Sequence, residues 1–589
     1  MRPVPEHAHA LRIARACVAM AGSLAVSAFA APPAAQCPRE VHFQIAPHDV
    51  DRKSAAFGRF REWVDAGVAG KGDEAASAAD AAILAQLSSK NDAKRYCEYA
   101  VGRVDRDVSD AEKAIAEGHD PKVAGDSYLY VGSAIEDLAY TWAGCASSIT
   151  EQQRARWKAY VDQTIWNVWH HEKAHWGERV SSWSGWATDN PANNYYYSFV
   201  EATMDWSLAS NDAEGLRALC ETRLPLIERE FAALPGGGSL EGTGYGVSHG
   251  RLFSIYRVWR DATGIDLANA NSHVTDTIAY WTHATVPTLD RYAPIGDQAR
   301  VSTPDLYDYH RAIVLEARNL TNDPAAKQLA SWWLSQISVP SMTAARNSRD
   351  DLLPAASRDL PAKKPTALTY YAQGVGTLFA RTDWTKSALW LAFVAGKYTE
   401  SHAHQEQGGF TLFQKDWLAV TENIWTRSGI EQGTETNNVV RFSRDGKIIR
   451  QHTDAAAKLD IASNDPAKGS VAATADLSPL YARNEGVQAW KRTIDFANYR
   501  LLVHDEFSVA EGVDAVFQVN VPQKPVVEGS TVRAGRLIVH VASPANATIR
   551  VLDWTTLDKD EFRGGWRIDI EHPRAQSGAF DIELATAPR

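Results

Sequence analysis

The sequence predicts an α+β multidomain protein, with a helical first half followed by a second half of antiparallel β-strands. Before residue 340, apolar residues recur at intervals of three and four positions, the period of an amphipathic helix. After a polar stretch with prolines, residues 341–365, the apolar residues form short alternating runs with the period of a strand. This change predicts a domain boundary near residue 350.

Six segments of the first half carry the helical period, and residues typical of loops separate them. In one of them Trp157, Val161, Ile165 and Val168 share a face. The predicted helices span residues 151–172, 194–209, 214–234, 251–262, 306–320 and 325–337. Amphipathic helices in such a succession favour stacked helical hairpins.

The second half contains short runs rich in β-formers between turn residues, which favours antiparallel sheets packed on each other. The predicted strands span residues 388–395, 409–420, 498–509, 515–521 and 537–542.

The first 30 residues have the features of a secretory signal peptide. Three arginines precede an apolar stretch that ends in Ala28-Phe29-Ala30, an A-x-A cleavage pattern. We therefore expect a signal peptide at 1–30, domains at 31–350 and 351–589, and a periplasmic or secreted protein. No later stretch reaches the ~18 apolar residues of a membrane-spanning helix, so we expect no membrane span.

Composition excludes one broad class of partner. The formal net charge of the 589 residues is -11, without the basic face that nucleic-acid binding requires. Removal of residues 1–30 would leave Cys37, Cys97, Cys145 and Cys220. An even number in an exported protein permits two disulfides, with buried free thiols as the alternative.

The most informative motif is H-x-H-x-E-x-G-G-F at residues 402–410. The alternating segment that follows predicts a strand, and on a strand His402, His404 and Glu406 would point to one face. Three proton-active groups are costly to bury without partners, which favours a catalytic or metal site over a solvated strand face.

Three loops of the helical half add candidate residues. The first contains Trp183 and Trp186, whose flat rings suit stacking on sugars, although tryptophans also pack helices together. It ends at Asn194, which precedes an apolar helix and has helix capping as its alternative role.

The second loop is rich in glycine and holds Glu241, Tyr245 and His249 at four-residue spacing, which would share one face of a helix. A tyrosine acts as acid or base when its pKa is suitably shifted. The third loop, P-I-G-D, is a turn that presents Asp297.

Taken in order, the Asn-Asn pair before a helix, E-G-x-G-Y, P-I-G-D and the histidine motif resemble the heparinase II/III-like superfamily of polysaccharide lyases. This superfamily includes heparin, heparan and oligoalginate lyases, and the resemblance covers residues 130–450. It implies an incomplete (α/α) toroid followed by an antiparallel β-sandwich, with the active site in the cleft between them.

The resemblance also implies a chemistry, β-elimination in a polysaccharide that contains uronic acids. Asn194 would neutralise the C6 carboxylate of the uronate. Tyr245 would be the acid, alone or also as the base, and His402 the base or its partner. Glu241 would orient the site, and no cofactor is required. The candidate substrate-binding residues are Tyr195, Trp183, Trp186, His249, Asp297 and Glu406.

Two departures from the family pattern bear on this chemistry. Family members commonly place a histidine after the asparagine, where this chain has Tyr195, which puts the usual histidine base in doubt and makes Tyr195 and His249 candidate substitutes. Several relatives also hold a structural zinc. At its ligand positions this chain has His404, Thr421 or Glu422, and Asn437, and a neutral asparagine is a poor zinc ligand. His404 and Glu422 remain the candidate ligands of a structural zinc or calcium ion.

The leading hypothesis is therefore an exported polysaccharide lyase, monomeric or homodimeric, acting on an acidic polysaccharide or oligosaccharide. One alternative is an inverting glycoside hydrolase on the same toroid, with two carboxylates ~6.5–9.5 Å apart drawn from Glu241, Asp297 and Glu406. The other is a carbohydrate-binding protein without catalysis, which Tyr195 in place of histidine favours.

Overall fold

The computed structural model describes residues 37–38, 40–71, 76–297, 304–337, 349–353, 360–422, 433–481 and 486–586. The predicted signal peptide lies outside these residues. Helices occupy the chain up to Gln336 and strands dominate from Thr369 onward, as the change of period predicts. No helix of the described residues is long and apolar enough to cross a membrane.

All six predicted helical segments are helical, with ends shifted by up to three residues. The segment 214–234 differs inside, because a π-helical turn, Leu219–Arg223, separates two helices. The α-helices of the described residues are α1 (Ala55–Val68), α2 (Ala78–Gln86), α3 (Lys90–Ala116), α4 (Val131–Gly144), α5 (Glu151–Trp169), α6 (Asn194–Ser210), α7 (Ala213–Ala218), α8 (Leu224–Ala232), α9 (His249–Thr263), α10 (His273–Ala284), α11 (Asp308–Leu320) and α12 (Pro324–Gln336).

The helices pack on one another in a curved succession. Helix α4 lies against α2 and α6, α6 against α9, and α9 against α11, which in turn packs on α10 and α12. Two disulfides, Cys37–Cys220 and Cys97–Cys145, join segments within this helical part. The two-disulfide alternative is thus the one that the structure contains.

In the described part of the chain, the strands form three larger antiparallel sheets and two short ribbons. The strands are β1 (His175–Trp176), β2 (Arg179–Val180), β3 (Thr369–Ala372), β4 (Thr377–Arg381), β5 (Trp390–Val394), β6 (Lys397–Tyr398), β7 (Phe410–Gln414), β8 (Asp416–Ala419), β9 (Val440–Arg444), β10 (Lys447–Ile449), β11 (Ala455–Ala456), β12 (Lys458–Asp465), β13 (Ser470–Asp476), β14 (Val487–Ala497), β15 (Arg500–Val509), β16 (Val513–Val521), β17 (Pro525–Glu528), β18 (Thr531–Ala534), β19 (Leu537–Ser543), β20 (Thr548–Asp553), β21 (Trp566–Glu571) and β22 (Ser577–Thr586). The larger sheets have the orders β3-β4-β5-β7-β8, β10-β9-β16-β21-β20 and β12-β13-β14-β15-β22-β19-β18-β17.

The first of these sheets is buried on both faces, which explains why β4, β5 and β7 read as continuous apolar runs. Phe379 and Trp390 belong to the same core as helices α6 to α12, whereas Leu378 and Leu391 belong to the core between the sheets. Arg381 of β4 is buried and donates hydrogen bonds from Nη2 to the carbonyls of His283 and Thr285, at 3.1 and 2.8 Å. This sheet therefore attaches the strands to the helices.

The predicted strand 409–420 is two strands. Lys415, with φ 64°, makes the turn between β7 and β8, which pair antiparallel. Residues 409–420 read as one continuous strand in the sequence because the aromatic residues Phe413 and Trp417 stand on both sides of the turn. The other four predicted strands correspond to β5, β15, β16 and β19.

Candidate active site

Main-chain hydrogen bonds bring three of the four predicted motifs together. The amide of Thr243, in the glycine-rich loop, donates to the carbonyl of Ile295 at 2.8 Å. The amide of Asp297 donates to the carbonyl of His402 at 2.9 Å. Segments that lie more than 100 positions apart in the sequence therefore form one backbone frame.

Two glycines make this close approach feasible. Gly242 has φ 81°, and a Cβ there would lie 2.2 Å from the carbonyl oxygen of Ile295. Gly296 has φ 67°, and a Cβ there would lie 2.7 Å from the carbonyl oxygen of His402. Any side chain at either position would push the segments apart.

The helix-capping alternative for Asn194 is wrong. Asn193 is the cap of α6, and its Oδ1 accepts a hydrogen bond from the amide of Tyr195 at 3.1 Å. Asn194 is the first helical residue, and its Nδ2 donates to Oε1 of Glu241 at 2.8 Å. Asn193 thus caps the helix, and the side chain of Asn194 is available to the candidate site.

Glu241 is fully buried beside Asn194. Burial raises the pKa of Glu241 to about 8, against the lowering effect of the hydrogen bonds from Asn194. The carboxyl group is therefore largely protonated at neutral pH. A neutral partner holds Asn194 in place without repelling an anionic ligand.

Asp297 joins both histidines of the motif. Its Oδ2 lies 3.0 Å from Nδ1 of His402, and its Oδ1 lies 2.6 Å from Nε2 of His404. Burial alone would raise the pKa of Asp297, but the hydrogen bonds from His402 and His404 bring it below its usual range. The ionised carboxylate accepts a hydrogen bond from an N–H of each ring, which leaves Nε2 of His402 for other chemistry.

The expectation that the histidines lie on a strand is wrong. Strand β7 begins at Phe410, and residues 401–409 form a loop. His402 and His404 share the carboxylate of Asp297 rather than a strand face. Glu406 is buried in the same loop and accepts a hydrogen bond from the amide of Gly296 at 2.8 Å. Asp297 and Glu406, predicted to bind substrate, therefore hold the frame and the histidines.

Tyr245 lies at the exposed side of this frame. Its ring stacks on that of His402, with centroids 3.5 Å apart and an interplanar angle of 8°. Asn194, Tyr245, Ser248 and Arg251 line an open cavity of about 320 Å³. The cavity contains two of the predicted reacting groups, and the third, His402, lies directly against Tyr245.

The prediction that Glu241, Tyr245 and His249 share a helix face is wrong. Glu241 lies in a turn, Tyr245 starts a short 3₁₀ helix, Tyr245–Ser248, and His249 starts α9. His249 is buried, and its ring contacts those of Tyr197 and Phe231 in the helical core. Burial lowers the pKa of His249 well below its usual value, so neither its place nor its charge suits substrate binding.

The aromatic candidates divide in the same way. Tyr195 donates from its hydroxyl to Asp126 at 3.0 Å, and burial, together with Asp126, raises the pKa of Tyr195 to about 12. This does not favour Tyr195 as a base. Trp183 packs on Phe199 and donates to the carbonyl of Asn167, whereas Trp186 is 46% exposed. Of the two tryptophans, Trp186 has its ring surface open to a ligand.

The residues at the zinc positions of the family do not fit that metal. His404 is bonded to Asp297, and the hydroxyl of Thr421 donates to Oδ1 of Asn437 at 2.8 Å. The carboxylate of Glu422 lies against Gly565. Within the described residues, no group of three His, Cys, Asp or Glu side chains is placed to hold a metal ion.

Sequence reasoning missed Arg251 in the cavity and Asn193 as the cap. The signal for Asn193 was the pair itself, because a cap precedes the first helical residue and Asn194 is that residue. Arg251 lay at the start of a predicted helix, where its position six residues after Tyr245 was the only hint.

The fold has relatives among solved structures. Heparinase III superimposes with a TM-score of 0.59 and 11% identity, covering 88% of this chain and 78% of that one. The fold is that of heparinase III. The heparan sulfate lyase of Pedobacter heparinus gives a TM-score of 0.56 and 14% identity, over 93% of this chain and 86% of that one.

A Paenibacillus xanthan lyase gives 0.51 and 9%, over 91% of this chain and 58% of that one. No protein-family profile and no curated protein sequence matches the chain. The heparinase III fold confirms the predicted α+β class, an incomplete (α/α) toroid followed by an antiparallel β-sandwich.

Proposed function

We propose that this protein is an exported polysaccharide lyase that cleaves a chain containing uronic acids by β-elimination. The observation that carries the proposal is the meeting of Asn194, Tyr245 and His402 at one cavity beside the neutral Glu241. The likeness in fold to solved polysaccharide lyases supports it. The two disulfides support export, because disulfides form in oxidising compartments.

In this proposal Asn194 stabilises the charge that develops when the uronate loses its C5 proton. Its amide donates to the C6 carboxylate, on which negative charge accumulates in the transition state. Glu241 keeps that amide oriented through the 2.8 Å hydrogen bond. Because Glu241 is protonated, it adds no charge opposing the substrate's.

His402 and Tyr245 transfer the protons. Asp297 holds the Nδ1–H tautomer of His402, so that Nε2 presents a lone pair and acts as the base or assists Tyr245 in that role. The C5 proton leaves to the base, the C4–C5 double bond forms, and the C4–O4 bond breaks. Tyr245 donates its phenolic proton to the departing O4, which completes the reaction without water as a reactant.

The hydrolase alternative fits the three carboxyl groups poorly. An inverting hydrolase needs one protonated and one ionised carboxyl group facing the same bond across a water. Asp297 is held by two histidines, Glu406 is buried on the amide of Gly296, and Glu241 is bonded to Asn194. The alternative of a protein without catalysis requires Tyr245 and His402 to have another purpose.

The test is the ultraviolet absorbance of the mature protein with a panel of polyuronates: alginate, glucuronan, hyaluronan and heparan sulfate. Elimination creates a double bond conjugated to the carboxylate, and we expect absorbance to rise with at least one polymer. New reducing ends without absorbance would indicate a hydrolase. Binding without either product would indicate a carbohydrate-binding protein.

A further inference from the structure

Arg251 is the one charged side chain among the residues that line the cavity beside Tyr245 in the described part of the chain. It lies in the first turn of α9, and the other lining residues are Asn194, Tyr245 and Ser248. Its charge has no role in the elimination described above. In a cavity proposed to bind an acidic polymer, a cationic side chain predicts an anionic group on that polymer as its partner.

The guanidinium group is fixed from behind. Its Nε lies 2.9 Å from Oε2 of Glu201, and its Nη2 donates to the hydroxyl of Ser133 at 2.9 Å. Nη1 makes no hydrogen bond with the described residues, and the side chain is 26% exposed. Two of the three nitrogens thus anchor Arg251, and the third retains its donors for a ligand.

Glu201 does not cancel this charge in full. It is tightly enclosed, since a Cβ on Gly132 of α4 would lie 2.1 Å from its Oε2. Burial raises the pKa of Glu201 to about 7, although Arg251 acts to lower it. Burial thus disfavours the charged form of Glu201, which weakens its neutralisation of Arg251.

We propose that Arg251 binds an acidic group on the sugar next to the reacting uronate, so that the site selects polymers charged on consecutive sugars. The inference rests on the proposed function, in which the neutral amide of Asn194 already serves the reacting carboxylate. A guanidinium with two nitrogens fixed is pre-oriented for a carboxylate or sulfate and loses little entropy on binding it.

Glucuronan and hyaluronan test this, because both contain glucuronate but only glucuronan carries a carboxylate on every sugar. Oligosaccharides of each are titrated calorimetrically against the Tyr245→Phe protein, alone and combined with Arg251→Gln or Glu201→Gln. We expect tighter binding of glucuronan, and a loss of roughly 10- to 100-fold on Arg251→Gln, as for a hydrogen bond to a charged group. Hyaluronan should change by less than about threefold.

The Glu201→Gln protein is the matched control. It breaks the same ion pair and lowers thermal stability as Arg251→Gln does, but it should keep the preference for glucuronan. Equal losses for both polymers would overturn the inference, since Arg251 would then contact the reacting uronate. Unchanged affinities, equal affinities at the outset, or no binding of either polymer would overturn it as well.

A failure of the proposed function can be distinguished from a failure of this inference. If wild-type protein binds glucuronan through Arg251 but absorbance does not rise, the contact with Arg251 is supported and elimination is refuted.

Discussion

The ring of Tyr245 lies parallel to that of His402, with their centroids 3.5 Å apart. Tyr245 comes from the helical half and His402 from the loop before β7, so the contact joins the two halves of the chain at the cavity. The carboxylate of Asp297 fixes the histidine at the ring edge, with its Oδ2 3.0 Å from Nδ1. The proposed acid and the proposed base are therefore in contact before any substrate enters.

Tyr245→Phe should abolish elimination while leaving binding largely intact, because only the transferable proton is lost and the ring still stacks on His402. Ultraviolet absorbance measures the first effect and calorimetry with the same polymer the second. Tyr195→Phe is the control, since its hydroxyl is bonded to Asp126. Near-normal turnover of the Tyr245 variant would refute the assignment of the acid.

Asn194→Ala should lower kcat on the order of 10²–10³-fold, as the loss of an oxyanion donor does. The neighbouring Asn193→Ala should instead cost about 1 kcal/mol of stability, because it removes the cap of α6. Kinetics and thermal unfolding of both variants separate the two roles. If Asn194→Ala lowered only stability and Asn193→Ala lowered kcat, Asn194 would not be part of the chemistry.

Asp297→Asn should lower kcat on the order of 10²–10⁴-fold, because an amide can stabilise the wrong tautomer of His402. The control is Glu406→Gln, which keeps an oxygen for the amide of Gly296 and should leave kcat within a few-fold. KM provides a second readout, since the loss of a residue that orients the base should lower kcat more than it weakens substrate binding. An Asp297 variant with an unchanged kcat would contradict the orienting role.

Glu241→Gln should change how stability depends on pH. The carboxyl pKa rises from 4.5 to about 8 on folding, so its contribution is full below pH 4.5 and is lost as pH rises to about 8. The variant has no such group, and its Tm relative to wild type should increase between pH 5 and 8. Parallel Tm curves across this range would show that Glu241 does not hold its proton. Asp495→Asn, at an exposed position of β14, serves as a control.

The sequence was most informative where chemistry and backbone needs coincide. The glycine-flanked motifs and the family resemblance predicted Glu241, Tyr245, Asp297 and His402 as site residues. The structure brings their segments into contact, because a turn that requires glycine also marks where segments meet. The periods of the apolar residues predicted the helical and β halves. They could not reveal that β7 and β8 are separate, since both are buried on the same sheet.

The features that the sequence did not predict depend on contacts between residues that are distant in the chain. His249 follows Tyr245 by four residues, as Tyr245 follows Glu241. However, α9 begins at His249 and directs its ring into the aromatic core. Asp297 was predicted to bind substrate, whereas in the structure its two carboxylate oxygens are hydrogen-bonded to His402 and His404. Arg251 became visible only through the cavity, because its anchors, Glu201 and Ser133, lie on other helices.

The frame of the site depends on main-chain atoms at Thr243, Ile295, Asp297 and His402. Such bonds form with almost any side chain, provided that glycine is kept where the backbones touch. Side chains around the cavity are consequently open to replacement without moving the reacting groups. A library that varies Ser248 of the cavity wall could therefore redirect the protein to a different polymer, which makes this chain a practical starting scaffold for enzyme engineering.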